Sequence, residues 1–351
     1  MAALAHRPSA DRPVARGGRP VVIAGSPTAL GGHFAGMERT PGELRRLGLP
    51  AVLAERPGLR DVAWTDAGDA PNEPGWAPDP DPRAKNRAAI AAYLGRLADH
   101  VATALADGRD DAAGPDGGLP PALLVLGGDC TSHAGAVAGL RRALPGEPRI
   151  GLVWFDAHGD FNTPATTPSG NVWGMPFALL VGRGDADLLA PIDAPLIREE
   201  DAALAGGQVL DEPESRALAA SRIAHFGAGM LGTDAGRAAL GAWAAAVAAR
   251  IDGWYVAFDL DAIDAAEDLA LAMPEAGGLA LDDAIRAVAV IAATGPVLGF
   301  GATAAMFGRG GGEAVTVEAI ARLVEAALGR PAALGRAAAL PSPMPSPTPS
   351  R

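Results

Sequence analysis

VWFDAHGDFNTPATTPSGNVWGMP, residues 153–176, is the stretch whose reading decides the fold. It continues an apolar run that begins at Ile150, long enough for a buried strand. The strand ends in Asp156, His158 and Asp160. Alternation along an extended chain puts these three side chains on one side, as long as the strand geometry persists. Two carboxylates and an imidazole at a strand end suit a hard-to-borderline divalent cation. A polar loop cap with one satisfied histidine accounts for a lone DxHxD equally well.

A second stretch tips that balance. WYVAF at 254–258 is another short apolar run, and it ends in Asp259, Asp261 and Asp264. Asp259 and Asp261 share a face at period two. Two strands that each deliver carboxylates to their C-terminal ends are what an α/β sheet needs to build a site in the crevice there. Four aspartates without cations would repel one another, and bound metal is the simplest way to keep all of them ionised.

Working outward, further strands are predicted at 20–25, 59–64, 122–126, 222–226 and 297–302. Helices are predicted at 41–47, 86–106, 131–144, 177–181, 233–251, 281–293 and 315–328. Thr131 or Ser132 offers a cap to the third of these helices. Residues 66–83 read as loop and 188–210 as mixed. Gly31, Gly32 and Gly36 match neither a Walker nor a dinucleotide fingerprint, so they read as a tight turn beside a site. Residues 1–18 read as a disordered leader, 19–332 as a single α/β domain, and 333–351 as a Pro/Ser-rich disordered tail. Strands alternating with helices argue one parallel sheet flanked by helices.

Composition narrows the function. The chain has 351 residues and a formal net charge of −12, which argues against nucleic-acid or anionic-membrane partners. The Ala-rich segments are interrupted by Arg, Asp and Gly, so none reads as a membrane span, and no signal peptide is visible. Cys130 is the only cysteine, which rules out an internal disulfide and fits a reducing cytoplasm.

Three segments carry a family resemblance. GGDC at 127–130, DAHGDFNTPATTPSGNVWGMP at 156–176 and FDLDAID at 258–264 resemble the signature blocks of the arginase, or ureohydrolase, family. AGSPTALGGHFAGMERTPGELRRLGL at 24–49 and PEAGGL at 274–279 are similar to its first and last blocks. The resemblance implies a three-layer α/β/α sandwich around a parallel sheet. It also implies two divalent metal ions, manganese by family, bridging a hydroxide that attacks a guanidinium or related carbon. By the same resemblance Asp156 and Asp259 bridge both metals, His158 and Asp261 complete one site, and Asp160 and Cys130 complete the other. Asn162, Thr167 and Ser169 match substrate-holding positions, with loop capping as their alternative role. The family also implies a small-molecule substrate and a homo-oligomer, trimer or hexamer.

The chain departs from the family at three places. Cys130 stands where the family has a histidine ligand. A thiolate ligand there favours Zn or Fe over Mn, and the alternative is a small buried thiol with that metal position weak. His133, one turn further on, could supply an imidazole, although an ordinary helix-face histidine is the favoured reading. Trp173 stands where arginase has a proton-shuttling histidine, and it could wall an aromatic or cationic substrate by stacking. GFGATAAMF at 299–307 lacks the guanidinium-binding Glu, whose loss should cost about 3–5 kcal/mol for a buried guanidinium. Two functions compete. The first is a metal-dependent hydrolase of guanidino, amidino or formimino C–N bonds, not specific for arginine. The second is a catalytically silent scaffold or small-molecule binding protein on the same fold. The intact set Asp156, His158, Asp160, Asp259 and Asp261 favours the hydrolase.

Overall fold

In the computed structural model, residues 18–72, 81–112 and 120–330 are described. The leader expected at 1–18, apart from Gly18, and the tail expected at 333–351 lie outside them.

Among the described residues one sheet holds eight strands. They are β1 Val21–Ser26, β2 Trp64–Asp69, β3 Ala122–Gly127, β4 Ile150–Asp156, β5 Ala202–Gly206, β6 Ala224–Phe226, β7 Gly253–Asp259 and β8 Val297–Thr303. Their spatial order is β2-β1-β3-β8-β7-β4-β5-β6, and every pair is parallel. The helices are α1 Thr40–Arg46, α2 Leu49–Glu55, α3 Arg87–Ala112, α4 Thr131–Ala143, α5 Pro176–Leu180 and α6 Ala186–Leu189. They continue with α7 Glu212–Ala219, α8 Ala228–Leu231, α9 Asp234–Ala248, α10 Leu281–Ala292 and α11 Glu313–Leu328.

Two apolar cores sandwich the sheet, and period-two alternation sorts the strand residues between them. Val153, Phe155, Val256 and Phe258 join residues of α1, α2, α9, α10 and α11 on one face. Leu152, Trp154, Tyr255 and Ala257 join residues of α3, α4, α5 and α6 on the other. This is the expected three-layer α/β/α sandwich. Both faces are covered, so β3, β4, β7 and β8 are buried along their whole length and read as continuous apolar runs.

Two sequence expectations are corrected. The strand expected at 59–64 lies at Trp64–Asp69, which takes the start of the expected 66–83 loop with it. Residues 59–62 form a turn that anchors the buried Leu59, while β2 is a largely exposed sheet edge, and its polar sequence WTDAGD hides it. Neither Thr131 nor Ser132 caps α4; Cys130 stands at its N-cap position and makes no side-chain cap bond. Asp129 accepts the Thr131 amide at 2.9 Å on one carboxylate oxygen and the Gly31 amide at 2.8 Å on the other. That second bond ties the Gly31 loop to the C-terminal edge of the sheet.

Candidate metal centre

The central strands β3, β8, β7 and β4 end side by side, and the candidate residues gather at those ends. Cys130 follows β3, Asp156 ends β4 and Asp259 ends β7. Backbone packing makes their approach possible. A side chain at Gly128 would meet the Thr28 carbonyl oxygen at 1.9 Å, so only glycine lets the two loops touch there.

Possible ligand atoms of Cys130, Asp156 and Asp259 lie within 4.8 Å of one another, as do those of Asp156, His158 and Asp261. Asp156 belongs to both groups. The Cys130 thiol donates to Asp259 Oδ2 at 2.8 Å. Asp156 accepts the Trp154 indole N–H at 2.9 Å and the His158 amide at 2.7 Å. His158 Nδ1 is 3.3 Å from Asp156 Oδ1 and 3.2 Å from Asp261 Oδ2. Asp160 lies outside both groups but lines the same pocket, with a left-handed backbone φ of 47°. Its Oδ2 is buried without a hydrogen-bond partner.

Charge is crowded here. Burial, then the charges of Asp156 and Asp259, push the Asp160 carboxyl well above its usual range. Burial, then Asp261 and Asp156, does the same to Asp259. Asp261 is raised to about 6 by burial and then by Asp156. Burial disfavours the charged ring of His158, but hydrogen bonds to Asp156 and Asp261 outweigh it and raise that pKa. Four buried carboxylates thus face one imidazole, and a carboxylate oxygen is left unpartnered. That donor set fits divalent cations: hard oxygens with one nitrogen and one sulfur.

Other candidates fall into place around it. His133 is fully buried and spends both ring nitrogens, Nδ1 on the Tyr255 hydroxyl and Nε2 on the Thr303 hydroxyl, each at 3.1 Å. Burial lowers its pKa to about 3, so it is a neutral core histidine, as the favoured reading had it. Asp264 caps the amides of Ala266 and Gly277 at 2.8 and 2.7 Å. Asn162, Thr167, Ser169 and Trp173 all line the pocket of about 270 Å³ above the carboxylates. Thr167 and Ser169 also accept the loop amides of Gly170 and Asn171, so they combine turn formation with exposure to the pocket. The Gly31 loop is the turn beside a site that was expected. A Cβ on Gly32 would sit 2.0 Å from the Trp173 ring, so the glycine makes room for the indole.

Three pocket or rim residues escaped the sequence reading. Asp211 accepts from Asn162 Nδ2 at 2.9 Å, and Glu214 accepts the Phe161 amide at 2.8 Å. These two form a capping box at the start of α7, with Pro in the first turn. That D-x-x-E spacing is the signal that could have flagged them. Burial raises Glu214 to about 7. Glu275, which lies in the PEAGGL block but was given no role from the sequence, places Oε1 3.7 Å from His158 Nε2.

Fold and site together define an α/β protein whose central strands gather, at their C-terminal ends, a buried, cation-suited set of acids. The chain matches the Arginase family over residues 19–327 and belongs to it. It is 30% identical over 282 residues to an arginase of Bacillus caldovelox, covering 78% of this chain and 86% of that one. The native structure of arginase from Bacillus caldovelox superposes with a TM-score of 0.76 at 26% identity, covering 89% of this chain and 99% of that one. The formimidoylglutamase of Bacillus subtilis shares the fold with a TM-score of 0.67 at 17% identity, covering 93% of this chain and 95% of that one. No described helix is long and apolar enough to cross a membrane.

Proposed function

We propose that the protein is a metal-dependent hydrolase of linear C–N bonds in guanidino, amidino or formimino compounds, and that arginine is not its preferred substrate. The observation that carries this reading is the double use of Asp156, which stands in both ligand groups of one pocket floor. Asp156 and Asp259 would hold both cations, His158 and Asp261 one, and Cys130 and Asp160 the other. Manganese follows the family, and Cys130 favours zinc or iron at its position. Two such cations, when bound, supply an acidified water at neutral pH and stabilise charge developing on oxygen.

The chain's own residues do the rest. Trp173, packed against the Gly31 loop, walls one side of the pocket. Asp211, Glu214 and Asn162 present acceptors to a polar or cationic end of a substrate. The single buried cysteine and the net charge fit a cytoplasmic protein without nucleic-acid or membrane partners, and a homo-oligomer, trimer or hexamer, follows the family.

The test is a panel of guanidino, amidino and formimino compounds with protein loaded with Mn, Zn or Fe, read as urea or ammonia release. Release from at least one compound is expected. Silence across the panel would favour a scaffold role. Arginine itself should turn over slowly even with Mn. The indole of Trp173 carries no exchangeable proton of suitable acidity, and Ala304 offers no charge to a guanidinium. Robust arginine hydrolysis would contradict this.

Glu275 gives a smaller, separate prediction. With Nδ1 of His158 turned to the carboxylates, Nε2 faces Glu275 and the acid can orient the ring. Glu275→Gln should weaken metal binding about 10–100-fold, the usual cost of losing an outer partner of a ligating histidine. Unchanged affinity by competition with a chelating dye would remove Glu275 from the site.

A further inference from the structure

The pocket wall is divided by chemistry. Met37, Ala272, Ala304 and Met306 form an apolar cluster separate from the two cores that sandwich the sheet, with Phe34 and Trp173 packed against it. Four of these six residues, Met37, Ala272, Ala304 and Trp173, line the pocket, as does the partly exposed Met273. Another part of the wall carries Asn162, Thr167, Ser169, Asp211 and Glu214.

Ala304 fixes where the apolar part lies relative to the acids. Its amide donates to the Gly128 carbonyl at 2.9 Å, and its own carbonyl accepts the Ala272 amide at 3.0 Å. The residue before it, Thr303, pairs in register with Asp259. The apolar cluster therefore begins beside the Cys130 loop and the end of β7, next to the carboxylate floor. A guanidinium end laid on this surface would lose hydration and find no partner, whereas hydrocarbon gains by burial.

We propose that the pocket selects a guanidine or amidine that carries, besides its chain, an alkyl or aryl substituent on a terminal nitrogen. Its hydrocarbon substituent lies on Ala304, Met37 and Trp173, and its polar end lies at Asp211, Glu214 and Asn162. This rests on the hydrolase reading above. In the reaction, water adds to the central carbon and the bond from that carbon to the chain nitrogen breaks. The chain nitrogen leaves as an amine carrying one proton of the water, and the other proton goes to the imino nitrogen, which stays on the carbon as an amide nitrogen. The oxygen stays as the carbonyl of an N-substituted urea or amide.

The test is calorimetric binding of arginine, Nω-methylarginine and Nω-propylarginine to Mn-loaded protein, with amine release followed in parallel. The three share charge and differ in hydrocarbon. Affinity should rise about four-fold for the methyl group and further for propyl. Met273→Glu, a change at a partly exposed position, should reverse the order by favouring the unsubstituted ligand. Arginine binding as tightly as the propyl compound, or no binding of any of the three, overturns the assignment. The expected order without amine release overturns the hydrolase reading alone. Amine release with arginine preferred overturns the apolar assignment alone.

Discussion

Asp259→Asn should abolish metal binding while leaving the fold intact. Asparagine keeps a carbonyl oxygen for the Asp261 amide, which Asp259 Oδ1 accepts at 2.9 Å. Its amide group then faces the Cys130 sulfur, a weak acceptor, in place of the present thiol-to-carboxylate bond of 2.8 Å. Without metal, burial and the charges of Asp261 and Asp156 already push the Asp259 carboxyl toward its neutral form, so a neutral amide is tolerated there. The cation-free variant should therefore melt no lower than the parent. Metal behaves oppositely. A cation at a hundred times its dissociation constant stabilises the parent by about 2.7 kcal/mol. At roughly 2–4 °C per kcal/mol for a large domain, that raises the melting temperature by about 5–10 °C. In Asp259→Asn this rise should vanish, because the variant loses a ligand offered to both ions. Asp264→Asn is the control. Its carboxylate holds loop amides, those of Ala266 and Gly277 among them, and stands outside both ligand groups, so its metal response should match the parent's. Two equivalents of metal retained by Asp259→Asn in elemental analysis would sink the two-ion reading.

How much was legible in the sequence follows from where burial imposes a pattern. The interior strands β3, β4, β7 and β8 are covered on both faces, so their apolar runs stand out. The edge strand β2 buries little and carries polar residues, so nothing local distinguishes it from a loop. β5 is fully buried, yet its sequence AALAG suits a helix as well as a strand, and only the neighbouring β4 settles it. Asp156 and Asp259 were readable because they are the last residues of β4 and β7, whereas His158, Asp160 and Asp261 lie past the strand ends, where alternation no longer holds and only the family resemblance gave them their roles. Glu275, Asp211 and Glu214 arrive from loops and a helix start, and their places depend on how the chain closes over the sheet. The same holds for Gly32, whose reason is the Trp173 ring, far away in sequence. Asp129 shows the limit even inside a signature block. The residue before Cys130 accepts the first amide of α4 and holds the Gly31 loop, a task that its spacing alone does not reveal.

Cys130 sets this chain apart, and its replacement should change which metal the site prefers. The thiol is almost fully buried at the start of α4 and donates to Asp259. Burial, then the charges of Asp259, Asp160 and Asp156, push its pKa well up. A thiol so placed is a poor nucleophile, so slow labelling by thiol reagents is expected with or without metal and decides nothing. Spectroscopy does decide. A cation held between Asp156 and Asp259 would displace the thiol proton, since a coordinating thiol is deprotonated outright. Protein loaded with Co(II) should then show a sulfur-to-metal charge-transfer band in the near ultraviolet, and Cys130→Ser should lose it. Cys130→His should shift the ratio of Mn to Zn affinity toward Mn on the order of tenfold or more, because imidazole is a harder donor than thiolate. The ring has room, since position 130 opens on the pocket. If the cysteine were only a small apolar filler, the histidine would cost packing and leave the metal ratio unchanged. Cys130→Ala binding two metals as tightly as the parent would end the ligand role. The Asp160 oxygen, buried beside the site and unpartnered, would then be the donor on which that position relies.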